Sequence, residues 1–301
     1  MNCCAAPRRS GPVKPPGAAA VEAAPASAAA AAEEGEPPET MTLKINGDDV
    51  TCSADPGVNL RKCFDSPVFQ QWAKSVDVKF LIQHVLFQSV DMFGPRVGFL
   101  KFKADCADRA SGQFLPGIVF MRGGSVGILV VLVSEQTGQE FTVAVKQPRL
   151  PTGNFDSVEI PAGMLDDEGN FAGKAAEELQ EETGISVLSN DLLDLNKLLL
   201  DQPAARATRS RGETNEGVYL SPGGSDEFMR LFLYRKVWKQ EAIEALEGKL
   251  GGLRDHGELI SLSIIPYEDL IKVPDGKTLC AIAMYDRVHK KLPELMKNFS
   301  S

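Results

Sequence analysis

The sequence predicts an α/β protein in which helices cover both faces of a mixed β-sheet, preceded by a smaller β-rich segment. In the second half of the chain, strand-like apolar runs alternate with helical patterns. The most apolar run, 127–133, falls far short of the ~20 residues that a membrane span needs, so we expect a buried strand there and no membrane partner. Together these patterns indicate an α/β/α sandwich with a mixed sheet.

The first part of the chain is predicted to contain a tail and a small β-rich domain. Residues 1–40 are rich in Ala and Pro and have almost no large apolar side chain, so they cannot bury enough surface to fold. We expect a β-rich domain over residues 41–115, with a short helix at Pro67–Lys74. Strands within 81–103 should join near Phe93-Gly94-Pro95.

The main domain is predicted over residues 116–297. It should open with a β-hairpin formed by Ile118–Val133 and Phe141–Lys146, with Gln136-Thr137-Gly138 at its tip. The later elements are predicted as helices at Phe171–Thr183, Lys239–Glu247 and Thr278–Lys291, and as strands at Met229–Val237 and Glu258–Pro266.

Charge and cysteine usage exclude several classes of protein. The net charge is −9, whereas proteins that bind a nucleic-acid backbone are usually basic, so we expect no nucleic-acid partner. The six cysteines include no Cys-x-x-Cys pair, and no secretory segment precedes them. This pattern argues against a disulfide framework or a zinc site and favours a reducing compartment.

The predicted helix Phe171–Thr183 carries an acidic face. Residues three and four apart share one side of a helix, so Glu178, Glu181 and Glu182 should project together. Hard carboxylate oxygens suit Mg²⁺, or Mn²⁺, which can bridge to phosphate oxygens of a substrate. Taken alone, an acidic run of this kind is more often a solvated face.

The residues around this helix resemble the signature of the Nudix hydrolases, which cleave nucleoside diphosphates linked to another group. Two positions depart from the pattern: Glu177 stands where the family usually has arginine, and Gly169 where it usually has glutamate. The resemblance rests on the spacing of Gly163, Glu178, Leu179, Glu181, Glu182, Gly184 and Ile185.

The Nudix resemblance implies both a fold and a metal site. It implies the Nudix α/β/α sandwich, with Mg²⁺ bound at Gly163, Glu178 and Glu182, and Mn²⁺ as the alternative metal. Glu181 would be a catalytic residue that binds or orients a metal. The missing arginine would otherwise steady the glutamate side chains, and its absence makes the local charge more negative.

The wider sequence, from about Asn59 to about Arg287, resembles the ADP-sugar diphosphatases within that family. This resemblance implies a small nucleotide-sugar substrate and a homodimer in which the β-rich domain lends residues to the partner's site. The matching segments are Asp91–Gly94, Gly98–Asp105, Pro116–Phe120, Pro151–Gly153, Pro161–Asp167, Ser221–Glu227 and His256–Glu258.

Glu258 is the candidate general base. It lies just ahead of an apolar strand and matches the loop where related enzymes place a catalytic carboxylate. A carboxylate near bound metal could take the proton from an attacking water. A solvated glutamate at a strand edge is the alternative.

Further residues are candidates for substrate binding. Gln147 and Arg149 resemble the Gln-x-Arg stretch that contacts diphosphate or ribose in related hydrolases, and the planar guanidinium suits phosphate oxygens. Gly224 ends a Ser-Pro-Gly-Gly turn whose backbone can approach a ligand closely, and Asp226 and Glu227 follow it. A turn that only reverses the chain is the alternative.

The predicted function is hydrolysis of ADP-sugars. By resemblance, ADP-glucose would give AMP and glucose 1-phosphate, and ADP-ribose would give AMP and ribose 5-phosphate. The two departures from the signature leave a second hypothesis open, a module that binds an ADP-sugar or ADP-ribose as a sensor without turnover. A structural subunit is a third, but it does not explain the intact set of glutamates.

The start of the chain bears on its location. It is basic, with Arg8, Arg9 and Lys14 and no acid before Glu22, as transit peptides are, although serine is scarce. Together with the resemblance, this predicts import into the chloroplast stroma. The cytoplasm, with a plain disordered tail, is the second choice.

Overall fold

The computed structural model describes residues 39–165, 170–200, 217–252 and 258–291. These described residues belong to one compact unit. The tail predicted over residues 1–40 therefore lies outside the described residues, apart from its last two positions. Gly169 also lies outside them.

A six-stranded sheet forms the first part of the fold, and two helices cover its inner face. The helices begin at side-chain caps, since Asn59 accepts from the Lys62 N–H and Ser66 accepts from the Phe69 N–H. In the core, the Phe69 ring meets the Phe87 ring edge-on with centroids 4.8 Å apart. The elements are β1 (Met41–Ile45), β2 (Asp48–Ala54), α1 (Leu60–Phe64), α2 (Pro67–Ser75), β3 (Phe80–Phe93), β4 (Arg96–Asp108), β5 (Phe114–Leu115) and β6 (Ile118–Met121).

A nine-stranded sheet forms the second part. Its strand order is β11-β13-β7-β8-β15-β14, with β9 paired to β8, β10 to β7 and β12 to β13. Strands β7 and β13 run parallel and the other pairs antiparallel, so the sheet is mixed. The strands are β7 (Gly124–Ser134), β8 (Glu140–Arg149), β9 (Asn154–Glu159), β10 (Ala162–Met164), β11 (Leu193–Asp194), β12 (Val218–Tyr219), β13 (Phe228–Trp238), β14 (Leu250–Gly251) and β15 (Ile260–Pro266).

Helices cover both faces of this second sheet. On one face lie α3 (Phe171–Thr183) and α5 (Gln240–Glu244), and on the other lie α4 (Leu195–Leu200) and α6 (Gly276–Lys291). Strand β7 contributes alternate residues to the two cores, which explains why its run is apolar throughout. The predicted mixed-sheet α/β/α sandwich preceded by a β-rich segment is thereby confirmed. None of the helices in the described ranges has the length and apolarity to cross a membrane.

Several predicted elements differ in their bounds. The strand predicted over Ile118–Val133 is two strands, β6 and β7, because the chain turns at Gly123, whose φ is 76°. Strand β6 pairs with β4 in the first sheet, whereas β7 lies in the second. The helix predicted over Lys239–Glu247 spans only α5, and Glu258 lies ahead of β15 rather than within it.

The loop after β12 joins the two sheets. The Phe120 N–H donates to the Gly224 carbonyl at 2.8 Å, and the Asp226 carboxylate accepts from the Arg122 N–H at 2.8 Å and the Gly123 N–H at 3.2 Å. These bonds fix the chain where it passes from β6 to β7. The loop that carries three of the predicted substrate-binding residues is therefore also a structural joint.

Strand β14 docks on the C-terminal end of α3. The Gly252 N–H donates to the Glu181 carbonyl at 2.9 Å. A Cβ at Gly251 would lie only 1.7 Å from the Glu182 carbonyl oxygen, so glycine is required for this close approach. The contact places Gly252, beside which the Glu258 side chain lies, at the end of the acidic helix.

Replacing Gly251 with alanine should destabilise the fold. The added methyl would have to push β14 away from a backbone oxygen, and overpacking of this kind costs about 1–3 kcal/mol. Chemical denaturation of Gly251→Ala against the native chain measures the loss. Gly223→Ala is the matched control, since a Cβ there meets nothing within 4 Å; equal stability of the two variants would contradict the close approach.

Candidate active site

Local sequence signals fix both ends of helix α3. The Asn170 side chain caps the start by accepting from the Gly173 N–H at 3.0 Å, and Gly184 ends the helix with a left-handed φ of 74°. Ala175 and Leu179 pack into the core. The helix therefore presents Glu178 and Glu182 along the side that meets strand β10.

Gly163 makes room for Glu178. A Cβ at Gly163 would lie 1.9 Å from Cδ of Glu178, so the carboxylate rests directly on the backbone of β10. The Glu178 side chain is only 13% exposed. The family glycine is thus required here because a side chain at this position would displace a candidate metal ligand.

Glu182 is the most deeply buried carboxylate of the helix. Its relative exposure is 5%, and one carboxylate oxygen accepts from the Ala162 N–H at 3.1 Å. Burial raises the pKa of Glu182 to about 8, with further increases from the negative charges of Glu178 and Glu159. The Ala162 bond and the charge of Arg149 act in the opposite direction.

Glu181 and Glu258 complete the acidic cluster. Burial raises the pKa of Glu178, the contact with Lys174 acts in the opposite direction, and the charges of Glu181 and Glu258 raise it further, so both carboxylates lie within electrostatic reach of Glu178. Glu258 is exposed, and its side chain lies beside Gly252, where a Cβ would be 3.1 Å from Oε2 of Glu258. The structure therefore places Glu181, Glu182 and Glu258 within electrostatic reach of Glu178.

Lys174 is a cation that sequence reasoning missed. Its ammonium lies 3.0 Å from a carboxylate oxygen of Glu177 and 3.0 Å from one of Glu178. Burial alone would lower the pKa of Lys174, but the hydrogen bonds to the two glutamates raise it overall. Lys174, one helical turn earlier, thus supplies a positive charge beside Glu178 although Glu177 replaces the usual arginine. The i,i+4 spacing was the available signal.

The chemistry of this donor set fits a divalent cation. Carboxylates that crowd together and are buried favour their neutral form, and a hard cation reverses that preference. Within the described ranges, however, no group of three or more His, Cys, Asp or Glu side chains is arranged to hold a metal without rearrangement. The ion pair between Lys174 and Glu178 keeps one carboxylate engaged.

Arg149 lies at the end of β8 and is held by Glu159, a second residue that the sequence did not single out. Arg149 contacts Oε1 of Glu159 through Nε at 2.7 Å and Nη2 at 2.6 Å. Gln147 lies on the same strand as Arg149 and is half-buried. It pairs with Ser157 of the neighbouring strand β9. A charged residue between two apolar ones, as in Val158-Glu159-Ile160, was the signal that could have identified Glu159.

Asp226, Glu227 and Gly224 lie in the joint between the sheets, and their contacts are with the β6–β7 turn. Glu227 accepts from the Ser125 hydroxyl at 3.1 Å and pairs with Arg122 at 3.5 Å. Gly224 and Asp226 also line a cavity of about 800 Å³ that extends towards α2. These residues support the loop, and a role in substrate binding stays a prediction.

Four of the six cysteines can also be placed. In the described part of the chain the cysteines Cys52, Cys63, Cys106 and Cys280 are free thiols, and burial raises the pKa of each. No thiol is among the residues that converge on α3. The segment 253–257, just before Glu258, lies outside the described residues.

Fold and site together define a mixed-sheet sandwich with a buried, acidic helix of the Nudix type. No family model matches the chain. The chain is 41% identical over 255 residues to Nudix hydrolase 14, chloroplastic, of Arabidopsis thaliana, covering 80% of this chain and 78% of that protein. It therefore belongs to the Nudix hydrolase family, whose members generally use divalent metal ions. A crystal structure of an ADP compounds hydrolase is 15% identical, with a TM-score of 0.46, over 70% of this chain and 95% of that chain.

The buried Glu182 should make metal-free stability depend on pH. Its pKa is raised from 4.5 to about 8 in the fold, so this contribution is fully present below about pH 4.5 and is lost as the pH rises through 8. We expect Glu182→Gln, measured in chelator, to unfold at a higher temperature than the native chain at pH 8, with little difference at pH 5. The unfolding temperature should rise by roughly 2–4 °C for each kcal/mol of unfolding free energy that the substitution restores.

The matched control is Glu241→Gln, which changes an exposed glutamate in the first turn of α5. Thermal unfolding followed by circular dichroism at both pH values gives the comparison. If Glu182→Gln keeps the pH dependence of the native chain, Glu182 is not buried as the structure has it.

Proposed function

We propose that this protein is a Mg²⁺-dependent hydrolase that cleaves the diphosphate of ADP-sugars. ADP-glucose would give AMP and glucose 1-phosphate, and ADP-ribose would give AMP and ribose 5-phosphate. The observation that carries the proposal is the pair of buried carboxylates, Glu178 and Glu182, held against β10 within electrostatic reach of Arg149. The family membership supports the reaction class, cleavage of a diphosphate in a small nucleotide substrate.

Glu178 and Glu182 would hold the metal, with Glu181 as a further ligand or orienter and the backbone at Gly163 beside them. Mg²⁺, when bound, would neutralise the diphosphate and lower the pKa of a bound water. Mn²⁺ has similar ligand preferences and is the alternative metal. Gly163 and the Ala162 N–H position the two carboxylates before any metal arrives.

Glu258 is proposed as the general base. It is exposed, and its charge acts on Glu178, so it lies beside the proposed metal site with access to water. A carboxylate in this position can accept the proton of the attacking water as the diphosphate bond breaks. The Glu258 side chain lies beside Gly252, whose N–H donates to the Glu181 carbonyl at the C-terminal end of α3.

Arg149 and Gln147 are proposed to bind the diphosphate or ribose. Glu159 binds Nε and one terminal nitrogen of Arg149, which leaves the N–H groups of the second terminal nitrogen for a phosphate oxygen. Gly224, Asp226 and Glu227 would contribute from the loop between the sheets, beside the cavity of about 800 Å³.

The proposed setting is the chloroplast stroma, with the cytoplasm as the second choice. A relative described as chloroplastic and the basic, acid-poor first residues support it. We also propose a homodimer. The exposed aromatic side chains of the first sheet, Phe93, Phe114 and Phe120, support a partner surface there.

A second candidate function is a module that binds an ADP-sugar or ADP-ribose without turnover. The ion pair between Lys174 and Glu178 favours it, because it engages a carboxylate that the metal would need. Glu177 in place of the usual arginine favours it as well. This module would bind its ligand without a metal.

The full-length protein with Mg²⁺ should release AMP from ADP-glucose and ADP-ribose but no mononucleotide from UDP-glucose or NADH. Glu182→Gln and Glu258→Gln should each lower kcat by about 100-fold or more, since they remove a metal ligand and a proton acceptor. Chromatography of AMP and UMP follows the reaction.

Glu241→Gln, which changes an exposed glutamate that is not among the proposed site residues, is the control and should retain native rates. An unchanged rate in Glu182→Gln would show that the metal-site assignment is wrong. No release from any substrate, with Mn²⁺ also tried, together with tight metal-independent binding in calorimetry, would favour the binding module instead.

Gly163→Ala tests whether the Glu178 carboxylate lies against the backbone at position 163. The added methyl would displace that carboxylate, so the Mg²⁺ concentration for half-maximal activity should rise about tenfold, in the range seen when groups that orient metal ligands are changed. A Mg²⁺ titration of AMP release measures the shift, and circular dichroism verifies the fold. A native Mg²⁺ requirement would contradict the proposed position of Glu178.

A further inference from the structure

We propose that Lys277, in the first turn of α6, is a positioning residue that orients Arg149 through Glu159. The proposal rests on the proposed function, in which Arg149 binds the diphosphate. Lys277 lies on the helix that covers the face of the sheet opposite α3, and 118 residues separate it from Glu159 along the chain. Its side chain nevertheless reaches Glu159, the last residue of β9.

Lys277 and Glu159 form a buried ion pair. Their side chains are 8% and 5% exposed, and the Lys277 ammonium donates to Oε2 of Glu159. The same ammonium lies 3.2 Å from Oδ1 of Asp275. Asp275 caps α6 through Oδ2, which accepts from the Thr278 N–H at 3.0 Å and the Thr278 hydroxyl at 2.6 Å.

The two oxygens of Glu159 serve different partners. Oε2 faces Lys277, whereas Oε1 accepts from Nε and Nη2 of Arg149 at 2.7 and 2.6 Å. Two bonds to one oxygen fix the plane of the guanidinium and thereby the direction of its second terminal nitrogen. Asp275, Lys277, Glu159 and Arg149 thus form a chain of alternating charges that ends at the proposed substrate site.

Lys277 is needed for this chain because Glu159 is buried. A carboxylate shielded from water is costly to keep charged unless cations and hydrogen bonds compensate it. Arg149 alone supplies one positive charge from a side chain that is 41% exposed and therefore partly hydrated. Without Lys277, the geometry of Glu159, and with it the direction of Arg149, should loosen.

A different bond holds α6 to the same segment. The Ile160 N–H donates to the Thr278 hydroxyl at 3.2 Å, next to Glu159 in sequence. This bond does not involve Lys277. Thr278→Val removes it together with the hydroxyl's bond to Oδ2 of Asp275, but it keeps Lys277, Glu159 and the backbone bond from the Thr278 N–H that also holds Asp275.

The first test is the kinetics of Lys277→Met in the full-length protein with ADP-ribose and Mg²⁺. We expect KM to rise about tenfold while kcat changes less than about threefold, because Arg149 acts in binding. Lys277→Arg, which keeps the charge, should restore most of the affinity. Thr278→Val should lower the unfolding temperature and leave KM near the native value.

The second test measures binding of ADP by calorimetry, which does not require turnover. Lys277→Met and Arg149→Ala should each weaken binding about tenfold, and the double variant should be little weaker than Arg149→Ala, since both changes affect one interaction. Lys277→Gln, which retains hydrogen-bonding capacity without the charge, should behave as Lys277→Met does.

The outcomes separate this proposal from the proposed function. If the native protein releases no AMP, the proposed function fails, while weaker ADP binding by Lys277→Met with a non-additive double variant would still support the role of Lys277. Additive effects of Lys277→Met and Arg149→Ala would overturn it. So would a lower unfolding temperature in Lys277→Met with native KM and native ADP affinity.

Discussion

The burial of the α3 carboxylates against β10 is the constraint on which the rest of the structure depends. Glu178 rests on the backbone of Gly163, and Glu182 accepts from the Ala162 N–H. The first contact requires the helix and the strand to approach more closely than a side chain at position 163 would allow. The fold meets this requirement with a glycine in β10 and a second one, Gly251, where β14 meets the end of the same helix.

Two buried glutamates of this site differ in how their charges are compensated. Glu159 has a cation on each oxygen, Arg149 on one and Lys277 on the other. Glu182 has one backbone N–H and the charge of Arg149 to offset its burial and the negative charges of Glu178 and Glu159, and its pKa is nevertheless raised to about 8. The compensation of Glu182 is therefore weaker than that of Glu159, which has two cations in direct contact.

Sequence patterns predicted those elements whose ends are set by interactions between residues close together in the chain. The bounds of α3 were predicted as Phe171–Thr183, and the structure shows that local groups set both ends, the Asn170 cap at the start and Gly184 at the end. The division of Ile118–Val133 into strands of two different sheets was missed, because an apolar run does not reveal its pairing partners. The contact of Lys277 with Glu159 was missed for a similar reason, since nothing local links residues so far apart.

Lys174 bears on whether the departure at Glu177 is compatible with turnover. Its ammonium contacts Glu178, a proposed metal ligand, but lies equally close to Glu177, which is 53% exposed. Because lysine is a point charge on a flexible stem, it can leave Glu178 to a metal ion and keep Glu177 as its partner. Glu177, which replaces the usual arginine, thus gives Lys174 a second ion-pair partner. The ion pair between Lys174 and Glu178 is therefore compatible with a catalytic site as well as with a binding module.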